Sequence, residues 1–278
     1  MTCARALRSF LFSALAGGLA AGCVSVARPS FPIVDAGLAV TRAEAGVSGL
    51  RALRAEARVD QRGQRGRVRG TVLMFVERTP RVRFDVMTQF GPIAILTSDA
   101  TRFAYSDLRE KRYLTGLTCP KNIARLLGVP LSVEETARFL LGATPLLATG
   151  AQQVVWNADG FYRVTRRGSD AGRQELDLAV YPEDMALPAA QQRLYLLRSE
   201  LYAASGKTTW RVTYDQHQSL HSGGTEVLAP YRVRVEEPAS GSDTIIRFKE
   251  IVLNPKIPDQ AFTQTLRAGM LQEEASCE

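Results

Sequence analysis

Residues 53–60 read LRAEARVD, with an apolar side chain at every second position and a charged one between them. Successive side chains of a β-strand point to opposite faces of the sheet, so this alternation predicts a strand with one buried and one solvated face. The polar residues that begin at Gln61 then predict a turn. The pattern is typical of an antiparallel sheet that packs one face on a core and exposes the other.

The alternation recurs along most of the chain in short segments separated by turn residues. In the second segment, 67–77, Val68, Val72, Met74 and Val76 share one face. Further strands are predicted at 82–86, 93–97, 102–106, 112–114, 153–156, 161–166, 174–180, 194–201, 208–214, 231–236 and 244–253. The short intervals between the first of these strands are expected of antiparallel meanders.

Helical periodicity occurs in three places, one before the first strand and two between the sixth and seventh strands. Asp35 is predicted to cap a helix that runs to about Val47. Pro120 fits the first turn of a second helix, and Ser132–Glu135 forms a capping box that begins a third, which ends at Gly142. Many antiparallel strands with a helix pair inserted midway predict a mainly β fold. We expect a strongly curved antiparallel sheet, an incomplete β-barrel, with a helical lid in its concavity.

The first residues have the pattern of a bacterial lipoprotein signal. Arg5 and Arg8 form a basic region, the apolar stretch 10–21 is short for a membrane span, and small residues precede Cys23. This pattern predicts cleavage before Cys23 and acylation of that cysteine. The alternative is an ordinary secretory peptide cut elsewhere, with Cys23 incidental.

Val24, rather than an aspartate, follows Cys23. Under the sorting rule of Gram-negative lipoproteins, this residue predicts anchoring in the outer membrane, facing the periplasm. We therefore divide the chain into a lipoprotein signal peptide at 1–22, a lipidated tether at 23–34, one domain at 35–265 and a C-terminal tail at 266–278.

The charge of the mature chain is modestly basic. The leader contains two of the 35 basic residues, Arg5 and Arg8, and none of the 28 acidic ones, so its removal leaves a net charge of +5. Such a surface suits the vicinity of anionic lipid head groups. We expect no nucleic-acid partner, because the expected compartment holds none.

Two cysteines of the mature domain, Cys119 and Cys277, have two interpretations. In an oxidising periplasm they could form a disulfide. Alternatively, Cys119 is a small buried side chain and Cys277 lies in a frayed tail. Because Cys277 is one residue from the end of the sequence, we favour the unpaired interpretation.

Motifs of enzymes and of cofactor sites are missing from the sequence. It contains no CxxC, GxGxxG, Walker loop or Gly-x-Ser-x-Gly elbow. Asp215, His217 and His221 could bind a metal from a helix, but the surrounding serines and glycines favour a surface loop. The pair Glu134-Glu135 is better explained by helix capping than by acid–base chemistry. The sequence thus predicts a protein that is not an enzyme and holds no metal or cofactor.

Four motifs, in this order, resemble the LolB family of the LolA/LolB lipid-carrier superfamily. They are Phe90-Gly91-Pro92; LLGVPL at 126–131 with FLLG at 139–142; GKTTWRVTY at 206–214; and NP at 254–255 with IPD at 257–259 and Phe262. The likeness spans most of residues 35–265. The chain departs from the family in its greater length at 150–200 and 215–230, and in having Phe90 where the family has a leucine. These departures leave open a lipid-binding relative with a different client.

The resemblance implies an outer-membrane lipoprotein that binds acyl chains, accepts lipoproteins from a LolA-type periplasmic carrier and inserts them into the inner leaflet of the outer membrane. It implies a monomer without cofactor. The apolar cavity is expected to be lined by Val72, Met74, Phe84, Val86, Ile95, Leu126, Leu127, Leu140, Leu141 and Trp210. The competing interpretation is that these side chains simply pack as a core. A structural or accessory envelope lipoprotein of the same fold is the alternative function.

Phe90 is expected to act with Gly91 and Pro92 as a membrane-insertion loop. An exposed ring in this turn could enter the lipid surface and help to transfer cargo. The alternative is an aromatic ring folded back over the edge of the sheet.

Overall fold

A computed structural model of the chain describes residues 26–64, 66–128, 130–222 and 225–277. Within this part of the chain, fourteen strands form one open sheet in the order β14-β6-β5-β4-β3-β2-β1-β13-β12-β11-β10-β9-β8-β7. Neighbouring strands are antiparallel except for β14 and β6, which are parallel. The sheet is curved and does not close, and three helices lie against it, as the sequence predicts.

The strands and helices have the following bounds. The strands are β1 (Ala52–Gly63), β2 (Gly66–Glu77), β3 (Arg81–Thr88), β4 (Gly91–Ser98), β5 (Arg102–Asp107), β6 (Arg112–Leu117), β7 (Thr149–Asn157), β8 (Phe161–Gly168), β9 (Arg173–Val180), β10 (Leu194–Tyr202), β11 (Thr208–Ser222), β12 (Thr225–Glu237), β13 (Ser242–Leu253) and β14 (Leu271–Ala275). The helices are α1 (Ala36–Val47), α2 (Pro120–Leu127) and α3 (Val133–Leu140), and short 3₁₀ turns cover Pro182–Asp184, Ala189–Gln191 and Asp259–Phe262.

The antiparallel order gives the sheet two ends. We call the end with the β1–β2 and β3–β4 turns the upper end, and the opposite end the lower end. The β5–β6 and β12–β13 turns are also at the upper end, whereas the β7–β8 turn and the β9–β10 connection are at the lower end, because strand directions alternate.

The alternation at 53–60 determines which face of β1 is buried. Leu53, Ala55, Ala57 and Val59 are almost fully buried, and the charged residues between them are exposed or half-buried. Helix α1 packs across this buried face against β7, β8, β10 and β12, and α3 packs against β2 and β3. The concave face is therefore apolar and covered by helices.

The convex face carries charge in an alternating row across six strands, β8 to β13. Asp177 accepts hydrogen bonds from Arg163 at 2.8 Å and from Arg198 at 2.7 Å, and Arg211 pairs with Glu200 at 2.6 Å. The full row is Arg163, Asp177, Arg198, Glu200, Arg211, Glu236, Arg234 and Asp243. Asp177 and Glu200 are buried at the centre of the row, so loss of an arginine partner there would leave a buried charge unpaired, which is strongly destabilising. The outer pairs are part-exposed and contribute about 0–1 kcal/mol each.

The predicted helix caps are confirmed. Asp35 Oδ1 accepts a hydrogen bond from the amide of Leu38 at 2.9 Å and starts α1. In the capping box of α3, the amide of Glu135 donates to Ser132 Oγ at 3.1 Å and the amide of Ser132 donates to Glu135 Oε2 at 2.8 Å. Both caps satisfy amides that the first helical turn leaves without partners.

Two expectations about irregular segments were wrong. The stretch around Asp215, His217 and His221, expected to be a surface loop, belongs to β11, which continues to Ser222 in one register with β12 and contains Gln216 at φ 56°. Long-range pairing with β12 holds this polar stretch extended, and local composition does not report that pairing. Within the segment expected to be a tail, Leu271–Ala275 forms β14 beside β6.

The described part of the tether, which starts at Val26, is packed against the lower end of the sheet. Ile33 is buried, and its amide donates to the hydroxyl of Tyr162 at 2.9 Å. The amide of Ser30 donates to the carbonyl of Met185 at 3.0 Å, and Gln192 Nε2 donates to the carbonyl of Phe31 at 2.8 Å. The N-terminal segment thus leaves the domain at its lower end.

The expectation that Cys119 and Cys277 are unpaired was wrong, because they form a disulfide with their Cα atoms 6.1 Å apart. Parallel pairing of β14 with β6 carries Cys277 back to the start of α2, where Cys119 lies. A cysteine near the end of a sequence forms a disulfide when a terminal strand is held in the sheet, and the spacing of cysteines alone does not show this.

We predict that the double variant Cys119→Ser/Cys277→Ser frees β14. The loop that this bond closes spans 158 residues, so its loss should lower the free energy of unfolding by up to about 5 kcal/mol on the chain-entropy model. Urea unfolding and hydrogen exchange at 271–275 measure the effect. Reductant should destabilise the wild type and leave the variant unchanged; equal stability of both proteins would contradict the prediction.

A second variant separates strand pairing from the covalent link. A Cβ atom at Gly116 would collide with the carbonyl oxygen of Ala275. Gly116→Ala should therefore speed exchange at 271–275 while the disulfide stays intact.

Candidate functional site

The apolar concave face is the candidate functional site. Register places Ala57, Val72 and Val86 opposite one another on β1, β2 and β3, and the same face continues through β13, β12 and β11. Six side chains predicted to line a cavity are buried on it or in the helix that covers it: Val72, Met74, Phe84, Leu140, Leu141 and Trp210. Val86 is half-buried at its border.

Three members of the predicted set do not fit that description. The side chains of Leu126 and Leu127, on α2, lie outside the described residues. The expectation for Ile95 was wrong, because it pairs with Asp85 and Ser106 and so points to the opposite, convex face.

Ile95 is nevertheless buried, because the C-terminal segment around Phe262 and Gln264 covers the convex face of β4. The amide nitrogen of the Gln264 side chain donates to the carbonyl of Ile95 at 3.2 Å, and its oxygen accepts from Ser106 at 2.7 Å. Residues 93–96 read IAIL, which is apolar at every position. A strand covered on both faces carries no alternation, so the sequence does not distinguish its two faces.

Helix α3 closes the concavity over β11 and β12. The ring of Phe139 contacts that of Trp210 edge-on, with centroids 5.1 Å apart. Between α3 and the strands is a void of about 20 Å³, bounded by Leu131, Leu140 and Val233 among others. A second void, of about 10 Å³, lies between Leu140 and the lower end of β1. Each has room for about one water molecule, so the interior is packed in this state.

Helix α3 has a glycine turn on each side. Gly128 (φ 72°) ends α2, and Gly142 (φ 76°) follows α3. Both are left-handed conformations that glycine adopts without steric cost. They divide the cover into short rigid helices joined by turns.

Two polar contacts hold the chain on either side of α3. Ser242 Oγ donates to the carbonyl of Gly128 at 2.6 Å, and the hydroxyl of Tyr214 donates to the carbonyl of Ala143 at 2.8 Å. Burial raises the pKa of the Tyr214 phenol well above its ordinary value, so the hydroxyl remains a donor at any physiological pH. Arg138 of α3 also pairs with Glu44 of α1 at 3.8 Å, and the other contacts between α3 and the sheet in the described part of the chain are apolar.

A buried polar cluster under residues 144–147 was missed by sequence reasoning. Gln174 Nε2 donates to the carbonyl of Pro145 at 2.7 Å, Arg166 Nη2 donates to that of Leu147 at 2.8 Å, and Thr144 and Ser199 share a hydrogen bond of 2.8 Å. Burial lowers the pKa of Arg166. The cluster fixes the chain after α3 to β8–β10. Arg166 lies on the same inward-facing side of β8 as Tyr162 and Val164. A charged residue at an inward-facing position of the strand pattern was the signal in the sequence that could have revealed this cluster.

Phe90 stands at the tip of the β3–β4 turn, at the upper end, with 92% of its surface exposed. Its amide donates to Thr88 Oγ1 at 3.2 Å, and Thr88 Oγ1 donates to the carbonyl of Gly91 at 2.9 Å. Gly91 has φ 113°, which turns the chain sharply into Pro92 and β4. Of the two alternatives from sequence, the ring projects into solvent and does not fold over the sheet edge.

The candidate metal ligands Asp215 and His217 make structural contacts within the sheet. Asp215 pairs with Arg232, and the ring of His217 packs 4.8 Å from that of Tyr195, where burial lowers the His217 pKa. No group of three or more histidine, cysteine or acidic side chains is arranged for a metal within the described residues. Among the same residues, we find no helix with the length and apolar character needed to cross a bilayer.

No protein-family model and no curated protein sequence matches this chain. Solved structures do match it. A LolA superfamily protein from Nitrosomonas europaea has a TM-score of 0.52 at 13% identity, over 84% of this chain and 99% of that one. A DUF1329 family protein from Desulfovibrio piger has a TM-score of 0.52 at 14% identity, over 82% and 95%.

A putative outer membrane lipoprotein-sorting protein domain from Vibrio parahaemolyticus is similar as well, with a TM-score of 0.51 at 10% identity over 82% of this chain and 95% of that domain. At such low identities the likeness concerns the fold alone. The chain therefore has a LolA-like fold, a curved open β-sheet with helices in its concavity.

Proposed function

We propose that this chain is a periplasmic lipoprotein anchored in the outer membrane, which binds acyl chains between its sheet and helices. It would accept lipoproteins from a LolA-type carrier and insert them into the inner leaflet of the outer membrane, as a monomer and without enzymatic activity. One observation carries the proposal: an apolar face spanning most of a LolA-like sheet is covered only by short helices with few polar attachments.

Two further observations support it. The fold is shared with a protein described as a member of the LolA superfamily and with a putative outer membrane lipoprotein-sorting domain. The Cys119–Cys277 disulfide suits an oxidising compartment such as the periplasm. Cys23, the expected lipidation site, lies outside the described residues.

Acyl chains would enter by movement of α3. Voids of 10–20 Å³ hold no chain, so α3 must move away from Trp210 and Val233. Each methylene transferred from water contributes about 0.8 kcal/mol, which offsets the apolar contacts that α3 loses. Gly128 and Gly142 supply the turns about which the helix would swing.

The described start of the tether, Val26, and Phe90 lie at opposite ends of the sheet. Strand β3, with eight residues, spans about 26 Å, so the docked tether places Val26 roughly that far from Phe90 along the strand direction. Once undocked, the eleven residues from Val24 to Val34 extend to about 36 Å and let the upper end reach the bilayer. In this proposal, insertion follows release of the tether from Tyr162 and Gln192.

The packed interior favours a second candidate function. If α3 never opens, the chain is a structural or accessory envelope lipoprotein whose partner is another lipid or a protein. Small voids beneath α3 are the observation that favours it.

We predict that acyl-chain binding changes the fluorescence of Trp210. The chain has two tryptophans, and Trp156→Phe leaves Trp210, beside Phe139, as the reporter of α3 movement. Titration with a lysolipid below its critical micelle concentration should give a saturable spectral shift. In the matched variant Trp210→Phe, Trp156 near the lower end of β7 should respond little. A flat titration in both variants, with no displaceable lipid in native mass spectrometry, would favour the accessory lipoprotein.

We predict that Cys23→Ala abolishes lipidation. Wild-type cells labelled with a palmitate analogue should show a labelled protein in the outer-membrane fraction, and the variant should be unlabelled and soluble. Cys119→Ser, which leaves Cys23 in place, is the control and should stay labelled. An unlabelled, soluble wild-type protein would refute the anchor.

We predict that Phe90→Glu stalls insertion but leaves uptake of cargo nearly intact, because a charge at the tip resists entering lipid. Purified carrier loaded with one lipoprotein, mixed with this protein and liposomes, measures both steps without nucleotide. Phe90→Leu is the matched control and should be nearly silent. Since 92% of the ring surface is exposed, neither variant should change the thermal midpoint. Normal insertion by Phe90→Glu would contradict a role in membrane entry.

A further inference from the structure

A wide cleft continues the concavity at the upper end of the sheet. It has a volume of about 740 Å³ and lies between α2 and the inner face of β1–β5. Lys121, Ala124, Arg125 and Gly128 follow one another at helical spacing and present one face of α2 to it. The cleft thus opens where the cover of the concavity begins.

The cleft has an apolar floor. Val68 is 63% exposed although it shares the inward parity of the buried Val72, and Val86 and Ile93 are half-buried beside it. Register places Val86 directly opposite Val72. An apolar path therefore leads from solvent at Val68 to the buried face of the sheet.

The rim of the cleft is cationic. Arg109, Lys121 and Arg125 line it against one carboxylate, Asp107. The Asp107 carboxylate already accepts the amides of its own turn, from Arg109 and Glu110, at 3.0 Å each. Among the described residues, the guanidinium of Arg109 has no ion-pair partner. The guanidinium groups of Arg109 and Arg125 are therefore the groups that the rim can offer to an anion.

We propose that this cleft binds the phosphate head group of an anionic amphiphile, with the acyl chain directed along Val68 and Val86. The inference rests on the proposed binding of acyl chains and names the chemical class of the ligand. Arginine and lysine donate charge-assisted hydrogen bonds to phosphate. An apolar floor next to a cationic rim therefore matches a molecule that has both an acyl chain and an anionic head group. A neutral amphiphile would use the floor alone.

Native mass spectrometry and lipid displacement test this on the mature full-length protein. Phosphatidylglycerol and phosphatidylcholine with identical chains are compared for wild type, Arg109→Glu, Arg125→Glu and the double variant. The matched control is Arg58→Glu, which makes the same charge change at an exposed position on the convex side of β1. Inorganic phosphate at millimolar concentration is the competitor that distinguishes a lipid head group from a free anion.

Wild type and Arg58→Glu should prefer phosphatidylglycerol, and the double variant should lose roughly three- to tenfold of its affinity for that lipid with unchanged affinity for phosphatidylcholine. Val68→Asp should weaken both lipids. Equal binding of the two lipids by wild type overturns the head-group site and leaves the acyl-binding function standing. Binding of neither lipid overturns both. Displacement of phosphatidylglycerol by phosphate alone, with phosphate binding lost in the double variant, overturns the amphiphile in favour of a small anion.

Discussion

The concave face of this sheet is a continuous apolar surface, and keeping it from water is the constraint on which the remaining structure depends. Burying one large apolar side chain contributes about 1.5–3 kcal/mol. Such side chains line neighbouring strands of the sheet from β1 through β13, β12, β11, β10 and β9 to β8. Helix α1 covers the face over β7, β8, β10 and β12, and α3 covers it over β2 and β3. Because both helices are short and separate, one of them can move away from the sheet while the other stays in place.

The two halves of the cover are attached differently. After α3, residues 144–147 are fixed by Gln174, Arg166 and Ser199, so that side is held by buried hydrogen bonds. On the α2 side, Ser242 holds the turn at Gly128, and the cleft lies directly beside it. Buried polar bonds are costly to break, whereas apolar contacts with α3 can be replaced by contacts with an acyl chain. Opening from the α2 side is thus the less costly movement.

An open sheet also has edges, and the described structure protects one of them covalently. β14 pairs with β6 and the Cys119–Cys277 disulfide ties that strand to the start of α2. An exposed edge strand would be a template for pairing with other chains. The same bond fixes the first turn of α2, so it sets the outer wall of the cleft as well as the end of the sheet. Phe90 and the cleft, both at the upper end, therefore lie on strands whose positions are stabilised by the disulfide at this edge.

Local sequence determined the elements that depend on neighbouring residues. Alternation at 53–60 defined the buried face of β1, and Asp35 and Ser132 started α1 and α3, because strand facing and helix capping are short-range effects. Only tertiary structure decided the rest. Ile95 faces the convex side because a distant C-terminal segment covers β4, and Cys277 reaches Cys119 because β14 pairs in parallel with β6. Arg109 and Arg125, from a turn and a helix, line one cleft through the same packing. Contacts between residues far apart in the chain depend on how the strands are ordered in space, and local periodicity carries no record of that order.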